Sequence, residues 1–183
     1  MKKKIIFIVT SVLSIACLCG LVYFIKVDSF AFAWVLNFLL MACAAFLSDA
    51  MQSRYASPYF LEKKWEQKGK LYEYFGINIY RKLLVWTGWE KLTRKTLPIG
   101  NNTEALTKLY QQTKISELNH TVIFMIVLGF NVYVALIFGF SRSLSLLILN
   151  ILLNLYPIFL QRYNRPRIKR ALTLSQVRHQ LIN

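Results

Sequence analysis

Acidic residues are scarce in this chain: 8 Asp and Glu stand against 23 Lys and Arg in 183 residues, a formal net charge of +15. A surplus of that size usually suggests nucleic acid. Charge of either sign is scarce too, at 17% of residues, while 56% are hydrophobic. Soluble domains carry about 25% charged residues, so the surplus is better explained by a membrane, and no nucleic-acid partner is expected. Histidine occurs only as His120 and His179, with no zinc spacing. Cys17, Cys19 and Cys43 lie within apolar runs and read as small packing residues. No metal and no tightly bound cofactor are expected. Also missing are a glycine-rich phosphate loop, a Gly-x-Ser-x-Gly elbow and a dinucleotide fingerprint. Met125 stands five residues after His120, so the His-x-x-x-x-Asp signature of soluble-faced glycerolipid acyltransferases is lacking.

What the chain has is four apolar blocks, at residues 5–25, 30–48, 121–140 and 144–160. At 1.5 Å per residue such runs approach or exceed a hydrocarbon core of ~30 Å. The expected fold is all-α: a single polytopic membrane domain of four transmembrane helices in two hairpins. Lys26–Ser29 turns the first hairpin and Ser141–Ser143 the second. Three basic residues precede the first block, twelve lie in the connector at 49–120 and six follow Leu160, against only Lys26 and Arg142 in the short turns. Positive charge stays inside. Both termini, the connector and the basic tail at 161–183 should therefore be cytoplasmic, in a multi-pass protein of the cell membrane. A cleaved signal peptide competes for the first block, but cleavage would strip the second span of its partner.

The connector is punctuated by Pro58 and Gly100, with further breaks expected at Gly76 and Gly88. Between them Tyr59, Phe60, Trp65, Tyr72, Trp86 and other rings alternate with Lys63, Lys64, Lys70, Arg81 and Lys82. Rings beside cations suit the headgroup layer of the bilayer, and equally a small aromatic core. Either way the segment, with Trp65 and Lys70, should form one wall of a site. From Thr103 the pattern turns helical, opened by Asn101 and Glu104 at capping-box spacing, and should run into the third span as one rod.

Polar groups gather at the cytoplasmic mouth. Asp49 ends the second span, Glu117 and His120 open the third, and Gln161, Arg162, Tyr163, Asn164, Arg165 and Arg167 follow the fourth. Asn150, Asn154 and Gln161 share one stripe of the last helix, which should face the bundle interior, as should Asn37 and Asn131. The three-residue spacing of Glu117 and His120 puts both on one helical face. His120 could then act as a general base oriented by Glu117. Glu-x-x-His is also a di-iron spacing, but no second copy exists, and a plain helix-end ion pair fits as well. Arginine forks among Tyr, Asn and Pro suit a phosphate or carboxylate.

These residues carry a resemblance. Trp65 to Tyr72 (Trp-Glu-Gln-Lys-Gly-Lys-Leu-Tyr), Glu117-Leu118-Asn119-His120 and the seven-residue run Gln161 to Arg167 occur in the order and spacing of the glycosyl-4,4′-diaponeurosporenoate acyltransferase family. The likeness spans roughly residues 58–168. It implies a membrane acyltransferase: a fatty acyl group passes from a thioester, with acyl-CoA as co-substrate, to a hydroxyl of a lipid or glycosylated isoprenoid. His120 and Glu117 would be catalytic. Arg162, Asn164, Arg165, Arg167, Gln161, Tyr163, Asn154, Asp49, Trp65 and Lys70 would bind substrate. A non-catalytic protein that binds anionic lipid or a partner enzyme, and a small membrane methyltransferase, are the competing readings. Oligomeric state is not legible.

Overall fold

The computed structural model describes residues 2–51, 57–89 and 103–182, and side chains at 2–4, 6, 47–51 and 179–182 fall outside that description. Among the described residues the chain is all helical, with seven α-helices and no strand. It divides into two compact units, one of residues 1–53 and 118–157, the other of 54–117 and 158–183.

In the first unit, α1 (Lys2–Phe24) and α2 (Phe30–Met51) pack along each other. Helix is the conformation that satisfies every backbone polar group within one apolar segment. The few hydroxyls of α1 obey the same rule: Ser11 donates to the Phe7 carbonyl at 2.8 Å and Ser14 to that of Thr10 at 2.8 Å. Between the helices Ser29 caps α2, its Oγ accepting from the Phe32 amide at 3.1 Å. The core holds Leu21, Phe32, Leu36, Ile123, Val127, Val134 and Leu146. Outward faces stay apolar: Val12, Leu13 and Ile15 are each more than 60% exposed. Without lipid such surface would be untenable.

The helix α5 (Thr103–Phe138) is unbroken for 36 residues, the rod expected from Thr103 onward. Its cap at Asn101, like the break at Gly100, lies outside the described residues. The second turn differs from expectation. Ser141–Ser143 is already helical, since α6 runs Phe140–Asn150. The reversal is made by Gly139, whose φ of +92° is open to glycine without strain. Arg142 then donates to Asp28 Oδ2 at 2.5 Å, joining this turn to the first one.

After Asn150 comes a π-helical segment, Ile151–Leu155, and then α7 (Tyr156–Ile182). Pro157 is one reason for the irregularity: it has no N–H to offer the Leu153 carbonyl four residues back. The run after Leu160 is helical, as part of α7. Three helical stretches, Phe7–Phe24, Thr103–Phe138 and Phe140–Arg178, are long and apolar enough to cross a membrane; the described apolar part of α2, Phe30–Phe46, is shorter. The chain is a membrane protein.

The second unit gathers the connector on the lower part of α5 and on α7. A 3₁₀ turn at Pro58–Phe60, capped by Ser57, precedes a second at Lys64–Gly69. Helices α3 (Leu71–Tyr74) and α4 (Ile77–Trp86) follow, separated by Gly76 at φ +77°. Phe60, Tyr72, Ile77, Tyr80 and Tyr163 are buried, and the Phe159 ring lies 5.2 Å from that of Tyr72 and 5.7 Å from that of Phe75. This part of the connector does build an aromatic core.

Candidate active site

In the second unit two carboxylates and two guanidiniums interlock. Arg162 donates through Nε to Glu117 Oε1 at 2.7 Å and through Nη1 to Glu66 Oε1 at 2.8 Å. Its Nη2 reaches the Tyr59 carbonyl at 3.4 Å, and its face lies 4.8 Å from the Tyr59 ring. Arg165 donates to Glu117 Oε2, to the hydroxyl and carbonyl of Thr113 at 3.1 and 3.2 Å, and to the Phe60 carbonyl at 3.3 Å. Glu117 is fully buried and Arg165 nearly so. Two negative charges thus offset two positive ones, the condition under which buried ions are tolerated.

Glu66 has further partners: the Lys63 amide at 2.7 Å and the Tyr72 hydroxyl at 2.6 Å. Burial would raise its carboxyl, but the Lys63 amide, the Tyr72 hydroxyl and Arg162 outweigh that and hold it below the ordinary value of 4.5. Burial, reinforced by the Glu66 carboxylate, pushes the Tyr72 phenol up, so it remains a donor. The turn that delivers Glu66 is tight: Gln67 and Lys68 take left-handed φ of 49° and 56°, and Gly69 one of +88°. A Cβ on Gly69 would stand 3.0 Å from the Tyr163 carbonyl oxygen. Side-chain size there is limited by backbone.

A cleft borders this cluster, lined by Phe60, Leu61, Glu62, Glu66, Arg162, Arg165 and, at its rim, Lys169, with free volume of about 20 Å³. Arg167 lies elsewhere in the unit: its guanidinium stacks 3.7 Å from the Tyr163 ring and reaches Glu73 at 3.4 Å. Trp65 and Lys70 are exposed. Gln161 and Asn164 are half-buried and make no side-chain hydrogen bond among the described residues. The side chain of Asp49 lies outside the described residues.

In the first unit His120 is half-buried, with its Nδ1 3.3 Å from Asn154 Oδ1. Asn154 donates to Asn37 Oδ1 at 2.7 Å and to Asn150 Oδ1 at 2.9 Å. The inward stripe of Asn150 and Asn154 is as expected, while Gln161 falls in the other unit. The orienting partner foreseen for His120 was Glu117; the geometry supplies Asn154, and Glu117 takes two arginines. His120 and Glu117 remain three residues apart on α5.

Glu66, Tyr72 and Thr113 were not foreseen as site residues. Glu66 shares residues 62–73 with Glu62 and Glu73, so its charge alone does not single it out in the sequence. Among the described residues no group of three or more His, Cys, Asp or Glu is placed to hold a metal.

No curated protein and no solved structure matches the chain. The model of one family does, that of glycosyl-4,4′-diaponeurosporenoate acyltransferase, over residues 56–174. This segment contains Glu66, Gly69, Glu117, His120, Asn154 and the Arg162–Arg167 run, and it decides for acyl transfer over methyl transfer or a non-catalytic role. The chain belongs to the glycosyl-4,4′-diaponeurosporenoate acyltransferase family and is an acyltransferase.

Proposed function

We propose that this enzyme moves a fatty acyl group from acyl-CoA to a hydroxyl of a glycosylated isoprenoid at the cytoplasmic face of the cell membrane, with His120 as general base. The observation that carries the reading is the tethering of His120 by Nδ1 inside a family-matched segment, which leaves Nε2 as the nitrogen able to take a proton. In the step, Nε2 removes the hydroxyl proton as the alcohol oxygen attacks the thioester carbonyl. The carbon–sulfur bond breaks, and the imidazolium returns its proton to the departing thiolate.

Glu117 is assigned to architecture in this reading. Its carboxylate holds Arg162 and Arg165, so those guanidiniums shape the cleft rather than meeting a phosphate as uncompensated charge. Lys169 at the rim of the cleft carries the attraction for the donor's phosphates. Four spans, with α2 as the second, put 21 of the 23 basic residues on the cytoplasmic side. The exposed rings Tyr74, Phe75 and Trp86 share this segment of the chain with Arg81 and Lys82 and suit contact with the headgroup layer.

Acyl-CoA does not cross a sealed bilayer, so sidedness and reaction are tested together. Inverted membrane vesicles containing the enzyme and a glycosylated carotenoid should consume added acyl-CoA and form an ester; sealed right-side-out vesicles should not. Consumption only by right-side-out vesicles would reverse the orientation, and none by either would remove the donor assignment.

A further inference from the structure

Three of the buried asparagines of the first unit, Asn37, Asn150 and Asn154, lie in a chain whose polarity can be read from its ends. A main-chain carbonyl only accepts. Asn37 therefore turns its Nδ2 to the Ala33 carbonyl, at 2.8 Å, which leaves its Oδ1 for Asn154. Asn150 likewise gives Nδ2 to the Phe124 carbonyl, at 3.0 Å, and shows Oδ1 to the same neighbour. Asn154 stands between two acceptors and directs both N–H bonds to them, so the atom it turns to His120 is Oδ1. An amide oxygen has no proton to give, so the facing Nδ1 must be the one that carries hydrogen.

We infer that Asn37, Asn150 and Asn154 are positioning residues that fix the neutral imidazole of His120 as the Nδ1–H tautomer and so leave the Nε2 lone pair free to act as base. The inference rests on the assignment of His120 as base for its use, but not for its test. Reversing any one amide would set oxygen against oxygen, and at Asn37 or Asn150 also amide N–H against amide N–H, in a place where these side chains are 0–1% exposed and water cannot repair the mismatch. Asn154 lies within the π-helical segment Ile151–Leu155 and Asn150 immediately before it, so the segment sets the register in which the two amides meet.

The test is the ring-nitrogen NMR spectrum of protein labelled with ¹⁵N-histidine, in nanodiscs at alkaline pH where a neutral imidazole predominates. A His179→Gln background leaves His120 as the single histidine signal. The expected spectrum has protonated Nδ1 and bare Nε2. In the Asn37→Ala/Asn150→Ala double variant Asn154 is free to turn, so population should move to Nε2–H, and kcat should fall by about 10²-fold or more with KM unchanged. An Nε2–H spectrum in the protein with all three asparagines overturns the inference. So does a double variant that keeps Nδ1–H. Should that variant fail to fold, the first spectrum decides. If the tautomers behave as expected while removal of His120 leaves turnover intact, the network stands and the catalytic assignment falls.

Discussion

Glu66 and Glu117 show what one buried carboxylate does in a chain with so few acids. Glu117 is matched by two guanidiniums and Glu66 by one guanidinium, a phenol and an amide. Because the Glu66 carboxyl is held below 4.5, its contribution to stability is complete above that value and is lost as pH falls through the lowered one. The melting temperature of wild type in detergent should therefore drop on acidification below about pH 4, from this group among others. Glu66→Gln should melt lower at neutral pH, by a loss of about 1–3 kcal/mol, and should lose less on acidification. Equal acid sensitivity of the two proteins would contradict this. The residue types were legible in the sequence; the pairing was not. Spacing within α5 put Glu117 beside His120, but the partners Glu117 takes are 45 and 48 positions away, on α7. No local pattern reports a contact of that range.

At the scale of the element, the run from Trp65 to Tyr72 has a physical explanation. Two left-handed residues and Gly69 form a turn that presents Glu66 on one side and lies against the backbone of α7 at Tyr163 on the other. Gly69→Ala combines an unfavourable φ of +88° with a Cβ 3.0 Å from a main-chain oxygen and 3.2 Å from a main-chain Cα. It should destabilise by about 2–4 kcal/mol. Gly88→Ala has φ +74° but nothing within 4 Å of the new methyl, so its cost should be about 1 kcal/mol. Similar thermal shifts for the two variants would remove the close-approach argument. Helix α5 was readable because no glycine or proline other than Gly129 interrupts it. The turn at Gly139 was misplaced by two residues for a related reason. Polar Ser141, Arg142 and Ser143 look like a loop, but polarity reports exposure, whereas a positive φ is what reverses the chain.

For the molecule as a whole, the net charge of +15 comes from 23 basic residues against 8 acidic ones. Arg162, Arg165 and Arg167 are a small subset of the cations, and their charge is offset locally by Glu66, Glu73 and Glu117. The polar capital of the first unit is different in kind: uncharged amides, buried among apolar side chains, converging on one imidazole. Their inward stripe could be read from Asn150 and Asn154 four residues apart, whereas the part played by Asn37 required the structure, since it comes from a helix 117 positions distant. The central claim is that His120 moves the proton in acyl transfer. Its most direct measurement is the single-turnover rate of ester formation by purified His120→Ala, with saturating acyl-CoA and glycosylated carotenoid, beside wild type of equal melting temperature. The account predicts a rate lower by about 10²–10⁴-fold with donor binding unchanged; a rate within a few fold of wild type would contradict it.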